Sequence, residues 1–185
     1  MPNYRRWYVP GGTYFFTVVT HLRRPIMASE CARKHLHDAI EELQDKQPFS
    51  LTAIVLLPDH LHTIWTLPAN DSDYSGRWAV IKESFTRRFL RDGGADGPRS
   101  ASRVAKRERG VWQRRFWEHV CHHEQDFKNH LDYLHWNPVK HGLVRCVRDW
   151  PWSSFHRYVE LGEYEPTWGS LDPCPEMASP AWEIN

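Results

Sequence analysis

A chain of 185 residues, 41% hydrophobic and 14% aromatic, is long enough for one sizeable core and too short for two full domains. No apolar stretch approaches the roughly 20 residues of a bilayer span, and the opening "MPNYRRWYVPGG" has no apolar region for a signal peptide, so a cytoplasmic protein with no membrane partner is expected. The net charge of +1 hides an asymmetry: residues 77–115 carry 12 Lys/Arg against 4 Asp/Glu, whereas residues 159–185 carry 6 Asp/Glu and no Lys or Arg. Cys31, Cys121, Cys146 and Cys174 are scattered without a CxxC pair, which suggests neither a disulfide framework nor a zinc ribbon; they read as small buried hydrophobes.

In chain order, "GGTYFFTVVTHL" (11–22) is rich in β-branched and aromatic residues after a turn signal and predicts a first strand. Ser29 then caps a helix to about Asp45, with Ala32, Leu36, Ala39, Ile40 and Leu43 at helical spacing. "FSLTAIVLLP" (49–58) and "HLHTIWTLP" (60–68) form an antiparallel hairpin. A second helix fits 75–92, with Trp78, Ile81, Phe85 and Phe89 on one face. Residues 92–110 lack apolar periodicity and read as a basic, mobile loop. A strand over 111–121, a helix over 124–137 stopped by Pro138, and a short helix within 150–162 follow. The order βαββαβα predicts one α+β domain over 1–165, a ferredoxin- or RRM-like antiparallel sheet with helices packed on one face, the other face left for a ligand, and an acidic tail over 166–185.

His60 and His62 occupy i and i+2 of a strand, so both imidazoles face one way and make a metal half-site. An HxH arises easily by chance among 12 histidines, and alone it would read as ordinary strand histidines. Tyr133 and Asn137, four residues apart on a helix, share a face. Otherwise Tyr133 is an amphipathic tyrosine on a core helix, and Asn137 a residue closing a helix end. If that helix lies across the sheet near the histidines, a phenol and an amide oxygen join the half-site.

The segments "PDHLHTIW", "WQRRFWEH", "DYLHWNPVKHGLV" and "DWPWSSFHRY", in this order across roughly 4–160, resemble the REP-associated tyrosine transposases, relatives of the HUH single-strand transposases. The resemblance implies that His60, His62 and Asn137 bind a divalent metal, Mg²⁺ or Mn²⁺, and that Tyr133 is the nucleophile. It implies single-stranded DNA hairpins, the repetitive extragenic palindromes, as partners in a bacterial cytoplasm. Cleavage would leave a 5′-phosphotyrosine and a free 3′-OH. It also implies a monomer, in contrast to the dimeric mobile-element relatives, with a dimer left open because the sequence itself does not decide.

The chemistry suits the residue types. A hard cation that draws charge from a phosphodiester stabilises its transition state, and covalent capture by a phenol conserves the bond for rejoining. Arg5, Arg6, Arg114, Arg115, Lys140 and Arg157 are candidate DNA contacts. Trp7, Trp117, Trp152 and Phe155 are candidates for base stacking. Of the remaining histidines, His119 is expected nearest the metal, with His122, His123, His135 and His141 at the surface. Two rival readings stay open: a hairpin-binding regulator that does not cut, and a metal-dependent phosphodiesterase using water.

Overall fold

The computed structural model describes residues 6–170. Its elements are β1 (Thr13–Val19), α1 (Glu30–Lys46), β2 (Ser50–Leu56), β3 (His60–Thr66), α2 (Tyr74–Arg91), α3 (Ala101–Ala105), β4 (Trp117–Val120), α4 (Glu124–Lys140) and α5 (Phe155–Glu160). The strands form one antiparallel sheet in the order β2-β3-β1-β4, the arrangement expected of a ferredoxin-like α+β fold. The described residues divide after Leu134 into two compact units, 6–134 and 135–170, and α4 spans both.

Alternation along β1 and β3 decides the core of the first unit. Tyr14, Phe16, Val18, Leu61 and Trp65 point to one face and are buried beneath α1 and α2. Trp65 stacks on Trp78 of α2 with ring centres 4.3 Å apart, and Phe16 packs against both. From α1 come Ala32, Leu36, Ala39, Ile40 and Leu43, the residues whose spacing predicts the helix. The Ser29 side chain accepts from the Ala32 N–H, and that of Asp73 from the Gly76 N–H, so both helices begin on side-chain caps. In the second unit Val139, Val147 and Phe155 form a smaller core against Tyr164 and Trp168.

Three expectations need correction. Pro138 does not stop α4, which continues to Lys140; the ring costs one backbone bond, and the His141 N–H reaches the Asn137 carbonyl at 2.9 Å to carry the turn onward. Residues 92–110 contain α3, whose anchor is the buried Arg103 rather than an apolar stripe: its guanidinium donates to the carbonyls of Arg109 (2.8 Å) and Trp112 (3.1 Å). Arg24 donates to the carbonyls of Ala95 (2.6 Å) and Gly110 (3.0 Å), and the backbones of Gly97 and Gly110 touch where any side chain would clash. Among the cysteines, Cys31 is exposed rather than buried, whereas Cys146 is buried; Cys174 lies outside the described residues. No helix among the described residues is long and apolar enough to cross a membrane.

Candidate functional site

The face opposite the core carries the other half of the alternation. Registers of Thr17 with His62 and Trp117, Val19 with His60, and Phe15 with Ile64 and His119 put these side chains together. Helix α4 brings His130 and Tyr133 to this face: their rings lie 5.0 and 6.0 Å from Phe15, and Tyr133 meets the His62 ring edge-on at 5.4 Å. The His60 and His62 rings are 5.0 Å apart and nearly perpendicular.

Each histidine has a partner that sets its tautomer. His60 Nδ1 lies 2.5 Å from Asp59 Oδ1, a carboxylate that accepts, and His62 Nδ1 lies 2.9 Å from Thr17 Oγ1; with an N–H at each Nδ1, Nε2 is the nitrogen that each ring could offer a metal. Both rings are almost wholly buried, at 4% and 3% exposure, which fixes their orientation. Burial works against the Asp59 charge, but hydrogen bonds from His60 and from Arg23 (2.8 Å) outweigh it and hold this carboxyl below its usual range. Arg23 reaches Asp59 from a left-handed backbone pair, Leu22 and Arg23 at φ 56° and 51°, a conformation that costs non-glycine residues free energy. Two buried imidazoles with oriented Nε2 atoms fit a divalent cation bound with open positions.

Tyr133 is 39% exposed and borders a cavity of about 540 Å³ lined by Phe15, Thr17, Trp117, Asn129, His130 and Tyr133. Trp117 stacks in parallel on His119, which stacks on His130 at 4.3 Å. Asp126 accepts from the His122 N–H and faces both imidazoles within 3.1 Å. Burial opposes its charge, yet these three neighbours hold the carboxyl down at about 2. His119, Asp126 and His130 thus bring three ligand-type atoms within 4.8 Å of one another beside Trp117.

The other sequence candidates scatter. Asn137 lies one helical turn after Tyr133, in the second unit, fully buried. Arg5 lies outside the described residues. Arg6 is engaged by the buried Glu118 at 2.5 Å and sits over the Phe116 ring. Arg114 is bound to Glu108 (2.5 Å) and Ser102 (3.0 Å). Arg115, Lys140 and Arg157 are exposed, Arg157 against the Tyr158 ring. Trp7, Trp117 and Trp152 offer exposed rings, whereas Phe155 is core, and His135, expected at the surface, is fully buried with Nε2 3.0 Å from Ser154 Oγ.

Asp59, Thr17 and Arg23 escape sequence reasoning because their roles depend on strand register and a strained turn. A basic groove was missed as well. It has a volume of about 830 Å³ and gathers Lys82, Arg87, Arg91, Arg103, Arg107, Arg109 and Arg114 between α2 and the segment after it. Its signal was the charge excess of residues 77–115. Burial and the nearby Arg6 and Arg103 push the Lys82 amine down to about 7.

A buried HxH strand facing a helical tyrosine across an antiparallel sheet is the arrangement of a single-tyrosine transposase fold. The family model described as "Transposase IS200 like" matches residues 8–136, and the chain belongs to this family. Within it the chain groups with the REP-associated tyrosine transposases. The "Putative REP-associated tyrosine transposase" of Haemophilus influenzae is 43% identical over 169 residues, covering 91% of this chain and 94% of that protein. The "REP-associated tyrosine transposase" of Escherichia coli K12 is 42% identical over 168 residues, covering 91% of each. A solved structure of a REP-associated tyrosine transposase bound to a REP hairpin superposes with a TM-score of 0.75 at 42% identity, covering 91% of both chains.

Proposed function

We propose that this chain binds single-stranded DNA hairpins of the REP type and cuts and rejoins them as a metal-dependent tyrosine nuclease and strand transferase. The relative solved with a REP hairpin supplies the partner class. The observation that carries the chemistry is the contact of the half-exposed Tyr133 with His62, while both histidines are held through Nδ1. In this reading His60 and His62 hold Mg²⁺ or Mn²⁺, and the motif order in the sequence adds the Asn137 amide oxygen as a third donor. The bound cation would draw charge from the scissile phosphate.

Tyr133 gives up its phenolic proton and its oxygen attacks phosphorus. The new P–O bond is the 5′-phosphotyrosine, and the broken one leaves a 3′-oxygen that takes up a proton. Attack by a 3′-OH on the phosphotyrosine reverses the step and frees Tyr133. The cavity beside Tyr133, with Trp117 on its wall, would hold a base flanking the cut, at roughly 1–3 kcal/mol for stacking. The exposed Arg115, Lys140 and Arg157, with Arg5, would meet backbone phosphates. Residues 1–165 would act as one functional domain, monomeric and cytoplasmic.

The test mixes the protein with labelled hairpin oligonucleotides and Mn²⁺ or Mg²⁺, with an EDTA control, on a denaturing gel. A covalent band that requires metal and disappears in Tyr133→Phe, with hairpin binding kept, is expected. Binding with no band under any condition would leave a non-catalytic hairpin-binding protein. Cleavage that survives Tyr133→Phe would indicate water as the nucleophile.

A further inference from the structure

Away from the HxH face, three ligand-type side chains that the proposed chemistry does not use converge. Cys31 and His35 stand four residues apart on the first turns of α1, and Asp92 caps the C-terminal end of α2. The Cys31 sulfur lies 3.2 Å from His35 Nε2, and Asp92 Oδ2 lies 3.0 Å from the same nitrogen. All three ligand atoms fall within 4.8 Å of one another. His35 is buried, whereas Cys31 and Asp92 are exposed, so the cluster is anchored on one side and open to solvent on the other.

Two readings of a Cys, His and Asp cluster predict different geometry. A nucleophilic relay needs the thiol on one ring nitrogen and the carboxylate on the other, so that the ring passes a proton between them. Here both meet Nε2, and His35 Nδ1 is buried with no hydrogen-bond partner among the described residues. One N–H cannot serve two acceptors well, but a cation in front of that nitrogen serves all three. Tetrahedral zinc bond lengths give S···N and N···O edges of about 3.6 and about 3.4 Å. The present separations lie within a few tenths of an ångström of these.

We infer that Cys31, His35 and Asp92 form a binding site for a thiophilic divalent cation, Zn²⁺, that pins the start of α1 to the end of α2. Thiolate and imidazole select zinc over the hard cations suited to the HxH site, and the open side leaves the fourth position to water. Binding releases the thiol proton to solvent, exchanges waters of the hydrated cation for the three side chains, replaces the contacts at His35 Nε2 with coordination and breaks no covalent bond of the protein. Because Asp92 is also the first residue of the basic segment 92–110, the cation would fix the point from which that segment departs.

Titrating the full-length protein with Co²⁺, in excess Mg²⁺ to occupy the HxH site, reads the sulfur directly. Expected is a thiolate-to-cobalt charge-transfer band that saturates at one equivalent and is displaced by Zn²⁺. The band should vanish in Cys31→Ser, weaken roughly tenfold or more in Asp92→Asn, and persist in the His60→Ala, His62→Ala double variant. In the His60→Ala, His62→Ala background, zinc at about 100 times its Kd should raise the unfolding midpoint by about 5–10 °C, and adding Cys31→Ser should abolish that shift. No band in the unmodified protein would overturn the site. So would a band that survives Cys31→Ser, which would pass the thiolate to Cys121. Equal melting of Cys31→Ser and the parent without metal shows that the variant folds.

Discussion

Asp59 Oδ1 stands 2.5 Å from His60 Nδ1, so the residue that turns the chain between β2 and β3 also aims the first imidazole of the pair. Its other oxygen is held by Arg23, which ties a strained turn after β1 to the same ring. Carboxylate partners of ligating histidines are commonly worth 10–100-fold in metal affinity, so Asp59→Ala should weaken Mn²⁺ binding by about that factor. Calorimetric titration measures it, and unchanged affinity would remove Asp59 from the metal's support. Arg23→Ala should give a smaller loss in the same direction, since it acts one contact further away.

Arg6, a candidate DNA contact in the sequence, should prove most sensitive through stability. The Glu118 side chain is 2% exposed, and Arg6 is its charged partner. Removing Arg6 takes away charge compensation from this buried carboxylate, which the Tyr74 hydroxyl at 3.4 Å replaces only in part, so Arg6→Ala should cost up to about 3 kcal/mol in urea unfolding. Adding Glu118→Gln to Arg6→Ala should restore most of the loss. Failure of the double variant to recover would show that packing over Phe116 dominates.

Gly110→Ala tests the clasp of the basic segment. A Cβ there would stand 2.5 Å from the Gly97 carbonyl oxygen and 2.8 Å from its Cα, both backbone atoms unable to yield without moving the segment. A loss of about 1–3 kcal/mol is expected, together with new protease cleavage between 95 and 110. An unchanged cleavage pattern would mean that Arg24 and Arg103 hold the segment without the glycine contact.

Burial, with Arg157 and His156 close by, pushes His135 down to about 3. The unfolded chain takes up this proton near the ordinary histidine value of about 6.5 while the folded chain refuses it, so the stability is present above that pH and is lost as pH falls toward 3. The slope should be up to about 1.4 kcal/mol per pH unit. Asp126 does not interfere, because its contribution is kept until pH falls below about 4. Urea unfolding at pH 7 and pH 5 should show a smaller drop for His135→Gln than for the parent. Equal drops would place the acid sensitivity elsewhere.

The fold was readable where periodicity alone fixes a buried face. The α1 stripe from Ala32 to Leu43, the β2–β3 hairpin and the Trp78, Ile81, Phe85 face of α2 all lie where spacing puts them. It failed where a polar group replaces the apolar signal, as with Arg103 beneath α3, or where propensity was outweighed by context, as at Pro138. The pairing of His60 with His62 was legible because strand alternation is a local rule. Asp59, Thr17 and Arg23 were not, because which residue faces which depends on strand register and on a turn closed across distant positions. The surface charges divided in the same way: Arg6 and Arg114 looked like Arg115 in sequence, and only their acidic neighbours in space distinguish them.

The register of β2 against β3 shifts between Leu51 and Ala53, and β4, at the opposite edge, is only four residues long. Open strand edges invite another strand to add on, and natural proteins blunt them with irregularities and brevity. Here one edge breaks step near its beginning and the other ends almost as soon as it starts. The sheet is thus a poor template for a fifth strand, whether from a second copy or from a partly unfolded neighbour, and it resists growth into aggregates at both margins.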